Sequence, residues 1–301
     1  MQPTYRQIEY LRAVAEHKSF SAAAKQCHVT QSTLSSGIRD LEAILGIQLF
    51  IRTSREVYLT PEGQVLFEDS HRLFNDMQGF VEIAKGLSSL GGGVLRIGII
   101  PTIAPYLIKD LHTAIQDKYP DMHIHLHEDV SAGLMDKLSE RLLDIVIMAF
   151  PYPVGSYGHA VIGHDVLHLI AHESLGIAEK GADKGLSIYD IQDVPMIMLA
   201  DGHCLRDHAL AACSLQERGI IPSYQAVTMA SLLEMVGAGL GATLIPSLML
   251  NSRALSLPDG VIKYDFAAPA PERQIGIVWQ RSDLKAKAMD IQAMAKKLLQ
   301  K

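Results

Sequence analysis

Apolar and polar positions repeat with different periods along this chain, and the changes of period mark its parts. Residues 1–90 follow a helical repeat almost throughout. Ile8, Leu11, Val14 and Ala15 share one face of a helix predicted over residues 5–16. A second, short helix is predicted from Ser21 to Gln26, with Ser21 as its N-cap. Cys27-His28-Val29 then makes a tight turn, and Thr30 caps a third helix, Gln31 to Leu45. Leu34, Ile38, Leu41 and Leu45 form its expected buried stripe, and Gly46 ends it. Leu49-Phe50 packs back, and Arg52-Thr53-Ser54-Arg55 leads into Val57-Tyr58-Leu59, read as a wing. From Leu66 the repeat becomes seven. Leu66, Leu73, Phe80 and Leu87 alternate with Ser70, Met77 and Ala84, an a/d seam of coiled-coil type. Residues 63–90 therefore read as a linker helix that dimerises, the alternative being a helix lying on its own domain.

The pattern changes again at Gly91-Gly92-Gly93. Val94 to Ile100 is strand-like, about Ala104 to Lys118 helical, His123 to Leu126 an alternating strand, Ser131 to Arg141 helical, and Leu143 to Ala149 a buried strand. This order predicts a parallel sheet with helices on both faces. Further strands are expected at Val166–Ala171, Met196–Leu199, Ala242–Ile245 and Gln274–Gln280, and a last helix from about Leu284. The fold class is thus α/β behind an all-α winged helix-turn-helix, with expected parts at 1–62, 63–90 and 94–301.

Composition narrows the function. Hydrophobic residues make up 48% and charged residues 20%, an ordinary globular balance, and the apolar runs are too short for a bilayer. Arg6, Glu9, Arg12 and Glu16 interrupt the first twenty residues, which do not read as a signal peptide, so a cytoplasmic location is expected. The net charge of −6 argues against nonspecific coating of nucleic acid. Contact with DNA must come from a local surface. Three cysteines in a reducing compartment are either inert core residues or redox-active.

The exposed face of the third helix supplies that surface. Thr30, Gln31, Ser32, Thr33, Ser36 and Arg39 are short or hydrogen-bonding side chains near a helix N-terminus, suited to a major groove. Arg52 and Arg55 suit phosphate contacts. An ordinary three-helix bundle remains open on pattern alone. Phe20-Ser21-Ala22-Ala23-Ala24, Thr30-Gln31-Ser32-Thr33-Leu34-Ser35, Leu41-Glu42 before Leu45-Gly46, Leu49-Phe50 with Arg52, and Leu59-Thr60-Pro61 with Gly63 together resemble the LysR-type regulators. Residues 21–55 hold only four basic residues against two acidic ones, so tight binding would need several subunits on one site. The resemblance implies double-stranded promoter DNA as partner, a homodimer through the linker helix, a homotetramer, contact with RNA polymerase, and no enzymatic activity.

It also implies that residues after Gly93 form two hinged α/β halves like those of periplasmic solute-binding proteins, about 94–165 with 270–301, and about 166–269. A ligand would sit between them, where strand ends meet helix N-termini. Pro101-Thr102 and Ser131 would face that cleft. The most informative segment runs from Asp201-Gly202-His203-Cys204-Leu205-Arg206 to Cys213. It reads as a helix with Cys204 at its start, where the helix dipole, His203 and Arg206 favour a thiolate. On one continuous helix, nine residues separate the two Cα atoms by about 13 Å, against the roughly 7 Å a disulfide tolerates. Closure would have to unwind the segment. Two inert buried cysteines remain the alternative on spacing alone.

The segment Asp201–Asp207 with its second cysteine closely resembles the peroxide-sensing LysR-type regulators, as do Gly98, Pro101-Thr102, Pro105-Tyr106-Leu107, and Gly237-Ala238-Gly239 through Pro246. That resemblance implies that Cys204 is peroxidatic and Cys213 resolving. It implies a peroxide pocket of Thr102, Ser131, His203, Arg206 and Arg273, with Arg273 as a cleft cation, and a thiol reductant such as glutaredoxin or thioredoxin. Ser131 stands where those regulators usually carry Thr. Competing readings are a metabolite-binding regulator with incidental cysteines, and a thiol peroxidase, which would leave residues 1–90 without a role. Cys27 is expected in a core. His123, His125 and His127 share one strand face, which reads as exposed surface rather than a metal site. No metal or cofactor is expected.

Overall fold

A computed structural model of the chain describes residues 2–52, 57–88, 93–177, 185–200, 205–206, 224–252 and 255–299. The chain separates into two compact units, Met1–Ile83 and Ala84–Lys301.

In the first unit, α1 (Tyr5–His17), α2 (Phe20–Gln26) and α3 (Gln31–Leu45) pack around Tyr10, Leu11, Val14, Phe20, Leu34, Ile38, Leu41, Leu49 and Phe50. The cap of α2 is Ser19, two residues before the expected Ser21; its hydroxyl accepts from the Ala22 N–H. Helix α2 thereby starts at Phe20, whose ring enters the core. Leu45, expected in the buried stripe, is 36% exposed, because the core ends at Leu41, one turn earlier. Gly37 lets α3 approach α1: a Cβ there would come within 2.7 Å of the Tyr10 ring. Strands β1 (Phe50–Arg52) and β2 (Val57–Leu59) pair antiparallel as the wing. Glu42 ties α3 to that wing, accepting from the Leu49 and Phe50 N–H groups at 2.8 and 3.3 Å. Thr60 closes the wing, donating to the Gln48 carbonyl at 2.7 Å and accepting from the Gly63 N–H at 2.9 Å. The long helix α4 (Pro61–Ser88) follows.

The second unit is built on β3 (Gly93–Ile99), α5 (Ala104–Lys118), β4 (Met122–Glu128), α6 (Ser131–Ser139) and β5 (Ile145–Phe150). Strands β4, β3 and β5 lie parallel in that order, as the alternation requires. The full sheet is mixed. Strand β11 (Glu272–Trp279) runs antiparallel to β5, and β6 (Gly158–His172) antiparallel to β11. Strand β6 is far longer than the expected Val166–Ala171. Its first part pairs with β11; its last part pairs with β9 (Thr243–Pro246) on one edge and β10 (Val261–Tyr264) on the other. One strand therefore crosses from the first α/β half into the second. Around the second half stand β7 (Ile197–Leu199) parallel to β8 (Tyr224–Ala226), then α7 (Met229–Gly237) and α8 (Ser247–Leu250). Helix α9 (Lys285–Leu299) returns to the first half, where Ala288, Ile291 and Ala295 join its core. Strands β8 and β10 had no clear signature because they are short and half-exposed.

Candidate functional site

Among the described residues, candidate chemistry is found in each unit. On α3, the Thr30 hydroxyl accepts from the Thr33 N–H at 3.2 Å and meets the Ser32 and Thr33 hydroxyls at 2.8 Å each. Thr30 is thus occupied as the helix cap, and its network orients Ser32 and Thr33. Gln31, Ser32, Thr33, Ser36 and Arg39 are all exposed. Leu34, Ile38 and Leu41 are buried on the opposite face, so the polar face points outward. The Arg52 guanidinium lies over the Phe20 ring, 4.0 Å from its centroid, which holds an exposed cation at the foot of the wing. Arg55 lies outside the described residues. Cys27 is buried in the core, and burial pushes its thiol pKa up, against thiolate chemistry.

In the second unit, Thr102 and Ser131 follow the carboxyl ends of the adjacent parallel strands β3 and β4, and both are buried. Arg273 on β11 is buried too, and it spends its donors on two partners. Its Nη1 donates to the Thr102 hydroxyl oxygen at 2.8 Å and its Nη2 to the Thr102 carbonyl at 3.2 Å. Nε and Nη2 both reach Asp165 Oδ2, at 3.1 and 3.0 Å. Asp165 stands directly opposite Arg273 in the β6–β11 register, where β6 leaves the first half. Its other oxygen accepts from the Leu248 N–H at 2.9 Å, in α8 of the second half.

The expectation of Arg273 as a cation facing the cleft needs a correction: its charge is already matched by a carboxylate, because an unpaired buried charge is too costly. What it gives Thr102 is orientation. Since the Thr102 oxygen accepts from Arg273, the Thr102 proton is left to donate elsewhere. The Ser131 hydroxyl is buried and has no hydrogen-bond partner among the described residues. Arg206, in the two-residue helical piece Leu205–Arg206, is half-buried, and Leu205 joins the core of the second half. His203, Cys204 and Cys213 lie outside the described residues. Asp165 was missed by sequence reasoning. An aspartate in a strand has no local signal, and only its register partner reveals it.

On β4, His123, His125 and His127 are exposed, and no metal-holding group of three side chains occurs among the described residues. No helix among them is long and apolar enough to cross a membrane.

Two family models match this chain: the bacterial regulatory helix-turn-helix protein of the lysR family over residues 5–64, and the LysR substrate binding domain over residues 88–298. The chain belongs to the LysR family of transcriptional regulators. Such a regulator binds DNA, acts as an oligomer and is not an enzyme. It is 34% identical over 280 residues to the HTH-type transcriptional regulator EstR of Acinetobacter baylyi, covering 93% of this chain and 91% of that one. It is 33% identical over 275 residues to the DNA-binding transcriptional dual regulator OxyR of Escherichia coli, covering 91% and 88%. Among solved structures, the regulator resembles full-length OxyR of Pseudomonas aeruginosa at 26% identity and TM-score 0.68, covering 99% and 96%. It also resembles a hydrogen-peroxide-bound cysteine mutant of Corynebacterium glutamicum OxyR at 26% identity and TM-score 0.63, covering 100% and 94%.

Proposed function

We propose that this LysR-family regulator reports hydrogen peroxide through reversible formation of a Cys204–Cys213 disulfide and thereby controls oxidative-stress genes. The observation that carries this reading is the pair of buried hydroxyls beyond the carboxyl ends of adjacent parallel strands, Thr102 held by Arg273 and Ser131 without a partner among the described residues. Such hydroxyls suit a guest that donates and accepts hydrogen bonds, as hydrogen peroxide does. OxyR relatives from several organisms support it, among them proteins named hydrogen peroxide-inducible genes activators. In this account Cys204 attacks one peroxide oxygen as a thiolate, the O–O bond breaks, a sulfenic acid forms, and the departing hydroxide takes up the proton the thiol had released and leaves as water. The Cys213 thiol then displaces hydroxide from that sulfur, closing the disulfide and releasing a second water. His203 and Arg206 favour the thiolate. Thr102 and Ser131 hold the peroxide. A thiol reductant such as glutaredoxin or thioredoxin resets the pair.

The regulator dimerises through α4, whose Leu73, Met77 and Phe80 are exposed on the heptad seam, and two dimers share one operator as a tetramer that contacts RNA polymerase. Thr33, Ser36 and Arg39 read base edges, and Arg52 and Arg55 hold phosphates. The test is peptide mapping after one equivalent of hydrogen peroxide. The expected result is a Cys204–Cys213 disulfide, a sulfenic acid in Cys213→Ser and no reaction in Cys204→Ser; both thiols still free would refute it. The match of residues 88–298 to the LysR substrate binding domain favours a second reading, a small metabolite bound between the α/β halves with the cysteines incidental. That reading stands if the thiols do not react.

A further inference from the structure

In the second α/β half, three side chains form a chain of two short hydrogen bonds. His168 stands on β6. Its Nδ1 lies 2.6 Å from Asp265 Oδ1, and its Nε2 lies 2.6 Å from the Ser247 Oγ. The strand order brings them together. β6 runs between β9 and β10, Ser247 directly follows β9, and Asp265 directly follows β10. Ser247 thus stands where a strand passes into a short helix.

The protons in this chain follow from chemistry. Lys263, at 2.9 Å, and His168 both hold the Asp265 carboxyl below its ordinary pKa, the Lys263 hydrogen bond being the larger cause. An ionised carboxylate only accepts, so in the neutral imidazole the proton sits on Nδ1 and points at Asp265. The Nε2 lone pair is then free, and the bond to Ser247 must be the serine hydroxyl donating to it. That is the relation of a nucleophile to its base, with the base oriented by a third group. A serine that only capped a helix would need no imidazole.

The hydroxyl also has access to a reagent. Ser247 lines a cavity of about 520 Å³, within the usual range for small-molecule sites. Its wall is mixed: Tyr106, Ile275 and Leu299 are among its apolar members, and Lys109, Asp110 and Asp165 among its charged ones.

We propose that Ser247 is a nucleophile, held ready by His168 and Asp265, that takes an acyl group from an activated carboxylic ester entering this cavity. The Ser247 Oγ bonds to the acyl carbon as its proton passes to His168 Nε2. The bond from that carbon to the ester oxygen breaks, and the departing oxygen takes the proton from Nε2. One ester and one serine give one acyl-serine and one alcohol, with no change of oxidation state. The reaction stops there. The Leu248 N–H, the backbone donor next to the nucleophile, is committed to Asp165, so it stabilises the oxyanion of neither step; an activated ester still acylates the serine because its leaving group departs readily, whereas hydrolysis would have to expel the serine alkoxide, a far poorer leaving group. The acyl-serine persists as a modification, which fits a regulator rather than an enzyme. Acylation also removes the proton that joins α8 to β6, beside the Asp165–Arg273 pair.

The test uses the full chain and p-nitrophenyl butyrate. The expected result is a burst of about one p-nitrophenolate per chain without turnover, and a butyryl group mapped to Ser247. Ser247→Ala abolishes the burst. Asp265→Asn, at an exposed position that tolerates the change, slows it by about tenfold or more because the imidazole loses its tautomer. Butyryl groups confined to Lys109, Lys263 or other amines would overturn the proposal, and so would an Asp265→Asn rate equal to that of the unmodified sequence.

Discussion

Replacing Arg273 with Met removes the guanidinium and keeps most of the volume. The structure sets the consequence. Asp165 keeps its bond from the Leu248 N–H but loses both guanidinium bonds and its counter-charge, while its side chain is only 2% exposed. A buried charge left in this way costs about 3–5 kcal/mol. For a unit of 150–250 residues this lowers the melting midpoint by roughly 6–20 °C, at about 2–4 °C per kcal/mol. Thr102→Val removes one acceptor and leaves one Arg273 N–H unpaired, so it costs less, about 1–3 kcal/mol. The combined Asp165→Leu, Arg273→Met variant removes both charges and recovers most of the loss, since apolar replacement of a buried pair is often neutral or stabilising. Thermal unfolding of the full chain, followed by circular dichroism, measures all three. An Arg273→Met midpoint within 1–2 °C of the original, a loss under about 1 kcal/mol, would refute the reasoning. So would a double variant no more stable than the single one.

Three further outcomes follow. Ser36→Ala weakens the preference for the operator over random DNA by about 1–3 kcal/mol at most, whereas Arg52→Ala weakens both alike and flattens the salt dependence, as titrations at several salt concentrations read directly. Replacing the exposed Phe80 of α4, 69% exposed, with Asp shifts the assembly toward monomer in sedimentation without lowering the melting midpoint of the regulatory unit. Tyr119 resists ionisation: burial first, and then its bond to Asp290, push its pKa up to about 12. Folding favours the neutral phenol, so this stabilisation is complete below the ordinary value of about 10 and is lost as pH rises through about 12. In Tyr119→Phe that alkaline loss shrinks, as unfolding measured from pH 9 to 12 would show.

The sequence alone determined the elements whose reasons are local. Helix α3 begins after Thr30 and ends before Gly46 because a hydroxyl caps an N-terminus and a glycine takes the left-handed backbone of φ 71° at its end. Helix α5, the parallel direction of β3, β4 and β5 though not their order, and the outward face of α3 were legible from the local pattern. The family was legible because its motifs are contiguous; within those motifs Glu42 and Thr60 are the ties between α3, the wing and α4, a role that only the structure shows. Tertiary structure decided what depends on pairing across the chain. The length of β6 could not be read, since a strand that changes partners midway, with β11 first and β9 and β10 after, keeps no single alternation. Asp165 and Arg273 lie 108 residues apart, as do the positions their register joins, and no local pattern announces that one neutralises the other. His168 lies on β6, and Ser247 and Asp265 directly follow β9 and β10, strands that are neighbours of β6 only in the folded sheet. Hydrogen bonds and ion pairs act over a few ångströms of space, so sequence shows them only where the chain is short enough to make neighbours in sequence neighbours in space.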